Sequence, residues 1–247
     1  TRSFMACRAA QRVHALLDNG AYDGALQLAR EYEPELNELR DLAALWAAWH
    51  RMDYGEALRI ARLRLTEDWW QDRAHDLEAL QRSGAPSVAR LGDMLAATRR
   101  LIALGQGEEA LARFYRFMEM AAKLGLQDEY GIRQPYRVDK LHGKVNAEVY
   151  RDMERNVRRD GTLLLGQNLS WKLLTALRDP LGESVTATTA MTDLMDLRNE
   201  SVYGHGEAPV ETERVLAVMR ELERLVLPRL AGLADWAKRC AFTDTKP

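Results

Sequence analysis

Cysteine is scarce in this sequence: Cys7 and Cys240, near opposite ends, are the only two among 247 residues. Two such cysteines supply neither a disulfide framework nor the paired spacing of a zinc site, and they point to a reduced, cytoplasmic protein. An excess of one charge is lacking as well. The 35 Lys and Arg against 37 Asp and Glu leave a formal net charge of −2, which excludes a general basic coat for nucleic acid. Any contact with RNA must therefore be local. No apolar run reaches the roughly 18 residues of a membrane helix, so no membrane partner is expected, and no signal-peptide pattern opens the chain. It begins at a threonine, and a piece of a longer protein is expected. Strand signals are nearly absent. Apolar residues recur at helical spacing in stretches rich in Ala, Leu, Arg and Glu, so the fold class is all-α.

What is present fills one large domain or two small ones, since 47% of residues are hydrophobic and 29% charged. A first helix runs to about Asp18, where Asn19 and Gly20 stop it. Others start near Tyr22, run from Glu35 to about His50, start at Asp53 (with Ala57, Leu58, Ala61 and Leu65 inward), and span Trp69 to Gln81. A weak repeat links Gly20-Ala-Tyr-Asp-Gly-Ala-Leu, Met52-Asp-Tyr-Gly-Glu-Ala-Leu and Gly105-Gln-Gly-Glu-Glu-Ala-Leu. Its spacing is near that of tetratricopeptide-type helix pairs, so residues 1–85 are expected to form a layer of helical hairpins. Ser83-Gly84-Ala85-Pro86 marks the boundary to a second domain, 86–247. There, helices are expected over 87–104, 108–124, 143–159, 168–178, 186–203 and 211–238, the last interrupted or bent at Pro228. Residues 125–136, with two glycines and a proline, read as a loop.

Most catalytic signatures are missing. There is no glycine-rich phosphate loop, no His-Glu-x-x-His or Cys-x-x-Cys pair and no Gly-x-Ser-x-Gly elbow, so neither a metal nor a cofactor is expected. One stretch stands out: Asp196-Leu-Arg198-Asn199-Glu-Ser201-Val-Tyr203-Gly204-His205-Gly206. If the helix persists, seven positions bring Arg198 and His205 to one face. The two glycines bracket the histidine and end the helix there. A permanent cation, an amide and the side chain that titrates closest to neutrality suit chemistry on a phosphodiester. Such a spacing also arises by chance. Arg8 and His14 match it in a scaffold helix, and Arg137 and His142 match it in a loop beside Lys140 and Lys144. His50 and His75 follow no pattern and read as structural. The 143–159 helix has a narrow apolar line and carries Arg151 and Arg155 on other faces. It is either a solvated helix or a basic wall along an RNA path.

The stretch Leu197–Gly206 resembles the HEPN ribonuclease superfamily, whose signature is an arginine, a polar residue and, after a few more positions, a histidine. Trp49-His-Arg-Met-Asp53-Tyr54-Gly-Glu-Ala57 and Ala112–Glu119 followed by Glu129–Ile132 resemble the helical part of type III CRISPR ancillary nucleases. The resemblance implies hairpins packed on a HEPN helical bundle. It also implies an endoribonuclease of antiviral defence that cuts single-stranded RNA without metal, by attack of the 2′-hydroxyl on the adjacent phosphate. Arg198 would bind the phosphate, His205 would move a proton, and Asn199 would orient either. Ser201, Tyr203, Lys140, His142, Lys144, Arg151 and Arg155 are candidate RNA contacts, with Tyr203 more readily packing than catalytic. The family builds its site from two HEPN domains, so a homodimer is expected near Asp196–Gly206, with Val215, Val218, Met219, Leu222, Leu225 and Val226 lining the interface or packing within the subunit. A sensor domain binding cyclic oligoadenylate would lie upstream, outside this sequence. The alternatives are a HEPN toxin of a toxin–antitoxin pair and a non-enzymatic helical adaptor.

Overall fold

The computed structural model describes residues 2–242, with side chains described from Phe4 onward. Among these residues there are 13 α-helices and one two-residue ladder, so the protein is all-α. No helix is long and apolar enough to cross a membrane. The chain divides into two compact units, one running to Gly84 and including Phe242, the other spanning Ala85–Ala241.

In the first unit, α1 (Arg2–Asp18), α2 (Tyr22–Glu31), α3 (Asn37–His50), α4 (Tyr54–Ala61) and α5 (Asp68–Arg82) pack each on the next. The core is aromatic. Trp46, Trp49 and Trp70 are fully buried, and the ring of Phe242 stacks on Trp46 with centroids 3.9 Å apart. α4 stops at Ala61 and tightens into a single 3-10 turn, Arg62–Arg64. Leu65, expected to face inward on that helix, is 45% exposed as a result.

The weak sequence repeat turns out to be a repeated helix stop. At each copy a residue in the left-handed region closes the helix: Gly20 (φ 70), Met52 (φ 61) and Gly105 (φ 70). The same two backbone bonds recur each time. Gly20, Met52 and Gly105 donate to Leu17, Trp49 and Ile102, while Ala21, Asp53 and Gln106 donate to Leu16, Ala48 and Leu101. These bonds occupy carbonyls that the helix end leaves free. The alanine that follows in each copy, Ala25, Ala57 or Ala110, is wholly buried, which explains why only a small side chain occurs there.

The second unit starts with α6 (Val88–Ala103), capped by the Ser87 hydroxyl accepting from the Arg90 N–H at 3.3 Å. α7 (Gly107–Tyr130) is its central element and runs six residues past the expected end at Leu124. Gly125 does not break it. The glycine sits where α7 meets Leu174, and the helix ends at Gly131 in the left-handed region. An excursion follows: β1 (Tyr136–Arg137) pairs antiparallel with β2 (Thr162–Leu163), and between them lies α8 (Ala147–Glu154). The expected 143–159 helix is thus only eight residues long. Gly143 turns with φ 75, Asn146 caps the start, and Val157 bridges to Leu163 beyond the end. Buried Tyr136 has its phenol pushed up to about 12, chiefly by burial.

The remaining helices are α9 (Gln167–Ala176), α10 (Pro180–Ala187), α11 (Ala190–Glu200), α12 (Thr212–Val226) and α13 (Leu233–Arg239). The chain at 179–182, expected only to end a helix, starts one instead. Pro180 is suited to a first turn, and Asp179 caps it by accepting from the Gly182 N–H at 2.8 Å. The expected 186–203 helix is split at Thr188–Thr189. α12 ends at Val226 just before Pro228, as that proline requires. Two glycines set helix spacings: a Cβ on Gly92 would lie 2.3 Å from that of Trp236 on α13, and one on Gly182 would lie 2.6 Å from that of Leu174 on α9. On α12, Val215, Met219, Leu222 and Val226 are buried within the unit, with Val218 and Leu225 half-buried. This face thus packs largely within the unit, the second of the two alternatives given for it.

Buried Asp179 joins two helices, since its other oxygen accepts from the Tyr130 hydroxyl at 3.1 Å. Burial, then the Asp179 charge, pushes the Tyr130 phenol up to about 12. Asp179→Ala removes a cap and leaves a phenol unpaired, and is expected to lower unfolding free energy by about 2 kcal/mol. Asp179→Asn, which keeps an acceptor, should cost less than half of that. Denaturant titration followed by circular dichroism measures both, and an unaltered midpoint for Asp179→Ala would show that neither bond matters.

Candidate active site

The motif lies at the end of α11, and that end comes earlier than expected. The helix closes at Glu200, and Ser201 takes an extended conformation, φ −69 and ψ 153. The chain then folds back on the helix it has just left. The Ser201 hydroxyl donates to the Arg198 carbonyl at 2.9 Å and accepts from the Gly204 N–H at 3.1 Å. The Ser201 carbonyl accepts from Gly204 at 2.9 Å and Gly206 at 3.0 Å, and the Asn199 carbonyl accepts from the His205 N–H at 3.2 Å. His205 therefore returns beside Arg198 and Asn199 through a closed turn, not through a second helical turn.

This geometry requires both glycines, for lack of room. A Cβ on Gly204 would lie 2.0 Å from the Arg198 carbonyl oxygen, and one on Gly206 would lie 1.4 Å from that of Glu200. Both distances are far inside van der Waals contact. The turn is tied at its far end as well. The Val210 N–H donates to the Glu108 carboxylate at 2.7 Å, and the Thr212 hydroxyl to the Gly105 carbonyl at 3.1 Å. Gly107 makes room for this, because a Cβ there would meet the Val210 carbonyl at 2.8 Å.

The three catalytic candidates are accessible: Arg198 is half-buried, and Asn199 and His205 are exposed. The Arg198 guanidinium lies over the Tyr115 ring of α7, 5.6 Å from its centroid, and donates to the Asn199 side-chain oxygen at 3.3 Å. Among the described residues no carboxylate pairs with it. The neighbouring carboxylate, Glu200, is instead engaged by Arg214 at 3.0 Å. The His205 imidazole makes no hydrogen bond within the chain among the described residues. A cation without a counter-ion and an exposed imidazole at one helix end are groups that can receive an anion and exchange a proton with it.

The other candidates are distributed differently. Ser201 is only 2% exposed, and its hydroxyl is used twice within the turn. Tyr203, expected to pack more readily than to act, is 62% exposed, with Val202 at 53% beside it. Lys140, His142, Lys144, Arg151 and Arg155 are all exposed, but they stand on the β1–α8 excursion, whose helix packs on α9. His142 sets its ring edge-on to Tyr150 with centroids 5.5 Å apart, and Arg137 pairs with Asp139 at 3.2 Å. An open groove of about 520 Å³ between α8, α9 and α10 is lined by both signs of charge, including Asp152, Lys172, Arg178 and Glu183, and by no motif residue. Among the described residues no group of three or more His, Cys, Asp or Glu side chains is placed to hold a metal ion. Tyr115 and Glu108 are the site residues that sequence reasoning missed. Tyr115 reads as one more position on the apolar face of its helix, and no local spacing links it to residue 198.

An all-helical unit with an Arg-Asn pair at a helix end and a histidine turned back beside it defines a class, the HEPN domain. A family model described as the Csm6 HEPN domain matches residues 79–227, more than half of the chain. The protein belongs to that family, the HEPN domain of type III CRISPR ancillary nucleases. A search of curated proteins finds no match.

Because the turn closes on backbone contacts, Gly206→Ala is expected to open it while leaving the helices intact. Hydrogen exchange at the Gly204, His205 and residue-206 amides should speed up at least about tenfold, with helical circular dichroism unchanged. Unchanged protection at these amides would mean that the turn tolerates a side chain.

Proposed function

We propose that this chain is the RNA-cutting part of a type III CRISPR ancillary nuclease, a metal-independent endoribonuclease acting on single-stranded RNA. One observation carries the reading: a guanidinium without a counter-ion and an exposed imidazole share one rigid turn, in a family of such nucleases. In the proposed reaction the 2′-oxygen attacks the adjacent phosphorus, and the bond to the 5′-oxygen breaks. The 2′-hydroxyl loses a proton and the 5′-oxygen gains one, leaving a 2′,3′-cyclic phosphate and a 5′-hydroxyl. Arg198 would bind the non-bridging oxygens and stabilise the charge that builds there. His205 would hold or deliver one proton, and Asn199 would keep the guanidinium turned toward the phosphate.

The reaction moves two protons, and the turn of one chain offers a single histidine. A second copy facing the first would supply the other, and this is the reason to propose a homodimer with a composite site. The exposed Val202 and Tyr203 suit either that contact or a nucleobase. RNA would also run along the exposed Lys140, His142, Lys144, Arg151 and Arg155. Both cysteines are free, which suits the reducing cytoplasm where such an enzyme would meet RNA. Activation would come from a sensor domain outside this sequence, through cyclic oligoadenylate.

End-labelled single-stranded RNA in excess chelator tests the reading. The parent is expected to leave cyclic-phosphate ends, and Arg198→Ala and His205→Ala are expected to lose at least about 100-fold in rate while staying folded. Equal cleavage by parent and both variants would reject the assignment, and a helical adaptor would show no cleavage at all. For the basic excursion, the Lys140→Ala/Lys144→Ala double variant should raise KM several-fold with kcat unchanged. The slope of log KM against log salt should fall by about 1.4, as two lost phosphate contacts on a single strand require. An unchanged slope would take the RNA path elsewhere.

A further inference from the structure

Arg198 stands at the end of α11 with four rotatable side-chain bonds, and a guanidinium so free would lose much of its orienting power. Two groups restrain it, and neither is charged. Asn199 accepts from one terminal nitrogen at 3.3 Å, and the Tyr115 ring lies beneath the carbon of the guanidinium at 5.6 Å. Tyr115 belongs to α7, 83 residues earlier in the chain (198 − 115), on a helix that packs directly against α11. Its own position is well determined: Phe114, Phe117 and Met118 on either side of it in sequence are fully buried, which fixes the rotation of the helix.

The kind of restraint matters. Two other arginines of this unit are held by carboxylates, Arg99 by Glu223 at 2.9 Å and Arg116 by Glu119. A carboxylate orients a guanidinium but also neutralises it and occupies its N–H fork, leaving less for a phosphate. An aromatic face attracts the cation through its quadrupole, leaves the N–H groups at the rim free and does not cancel the charge. The Glu200–Arg214 pair acts in the same direction, since it keeps a carboxylate two residues along the chain engaged.

We infer that Tyr115 is a positioning residue for Arg198: its ring holds the guanidinium in place without neutralising it, so that the cation meets the scissile phosphate already oriented. The inference rests on the ribonuclease reading above and adds to it a residue outside the motif. The phenol oxygen has no part in it. The ring face is what acts, and Phe should serve as well as Tyr.

The test uses the whole chain and single-stranded RNA, with Tyr115→Phe, Tyr115→Leu and Tyr115→Met, each also combined with the uncharged Arg198→Gln. Tyr115→Phe is expected to cleave within about twofold of the parent. Tyr115→Leu and Tyr115→Met, which fill the space but offer no ring face, should lose about tenfold, in kcat more than in KM. Adding either to Arg198→Gln should cost little beyond Arg198→Gln alone, because without a cation at 198 the ring has nothing to hold. Two variants of different shape guard against one that fails to fold, which thermal melting will reveal. Losses that multiply with those of Arg198→Gln, or a Tyr115→Phe as impaired as Tyr115→Leu, would overturn the role. Full activity in the Leu and Met variants would overturn it while leaving the ribonuclease reading intact. A parent that cleaves no RNA would overturn both.

Discussion

Everything at the site depends on how the last turn of α11 is closed. A helix ends with carbonyl oxygens that no further turn will satisfy. In this protein the motif itself supplies partners: the Ser201 hydroxyl takes the Arg198 carbonyl and the His205 amide takes that of Asn199. The residues of the motif are thus held by the same bonds that finish the helix. Ser201 has to be buried to do this, and residues 204 and 206 have to lack side chains, because the returning chain passes almost against the carbonyls it covers.

α7 supports this arrangement twice. Its first turn receives Val210 through Glu108, beside the Thr212 bond to Gly105 just before the helix, and its third turn carries the ring under Arg198. One helix of 24 residues therefore meets both the motif arginine and the far end of the segment that follows it. Charges are placed with the same economy. Arg99 is held by the carboxylate of Glu223, and the arginine at the motif is held by neutral groups.

Much of the fold was legible because helix stops and starts are local. Gly20 after α1, and the interruption at Pro228 after α12, read correctly from neighbours within a few residues. The errors came where tertiary packing overrode local preference. Gly125 reads as a breaker, yet the helix continues through it against Leu174. Asp179-Pro180 reads as a stop and is a cap, because the residues on either side are both helical and the sequence does not say which helix the pair serves. Apolar spacing through Val145, Val149, Met153 and Val157 suggests one helix, but Val157 belongs to a bridge with Leu163. At the site, Arg198, Asn199 and His205 were visible as a motif. Their shared face was inferred from helical periodicity, whereas the turn brings them together. Tyr115 could not be seen, since nothing near it in sequence points to residue 198.

The helix stops also set an order in which the protein can assemble. Closing a stop such as Ala48 to Asp53 joins residues only five positions apart and costs little chain entropy. The bonds that hold the motif segment join residues 102 and 107 positions apart, and such closures cost more, the more chain they enclose. Helix pairs can therefore form and dock early, while the geometry at Arg198 is completed only when α7 and α12 have met. During synthesis, a chain that has not yet emerged as far as Thr212 holds the whole motif in sequence and has no site.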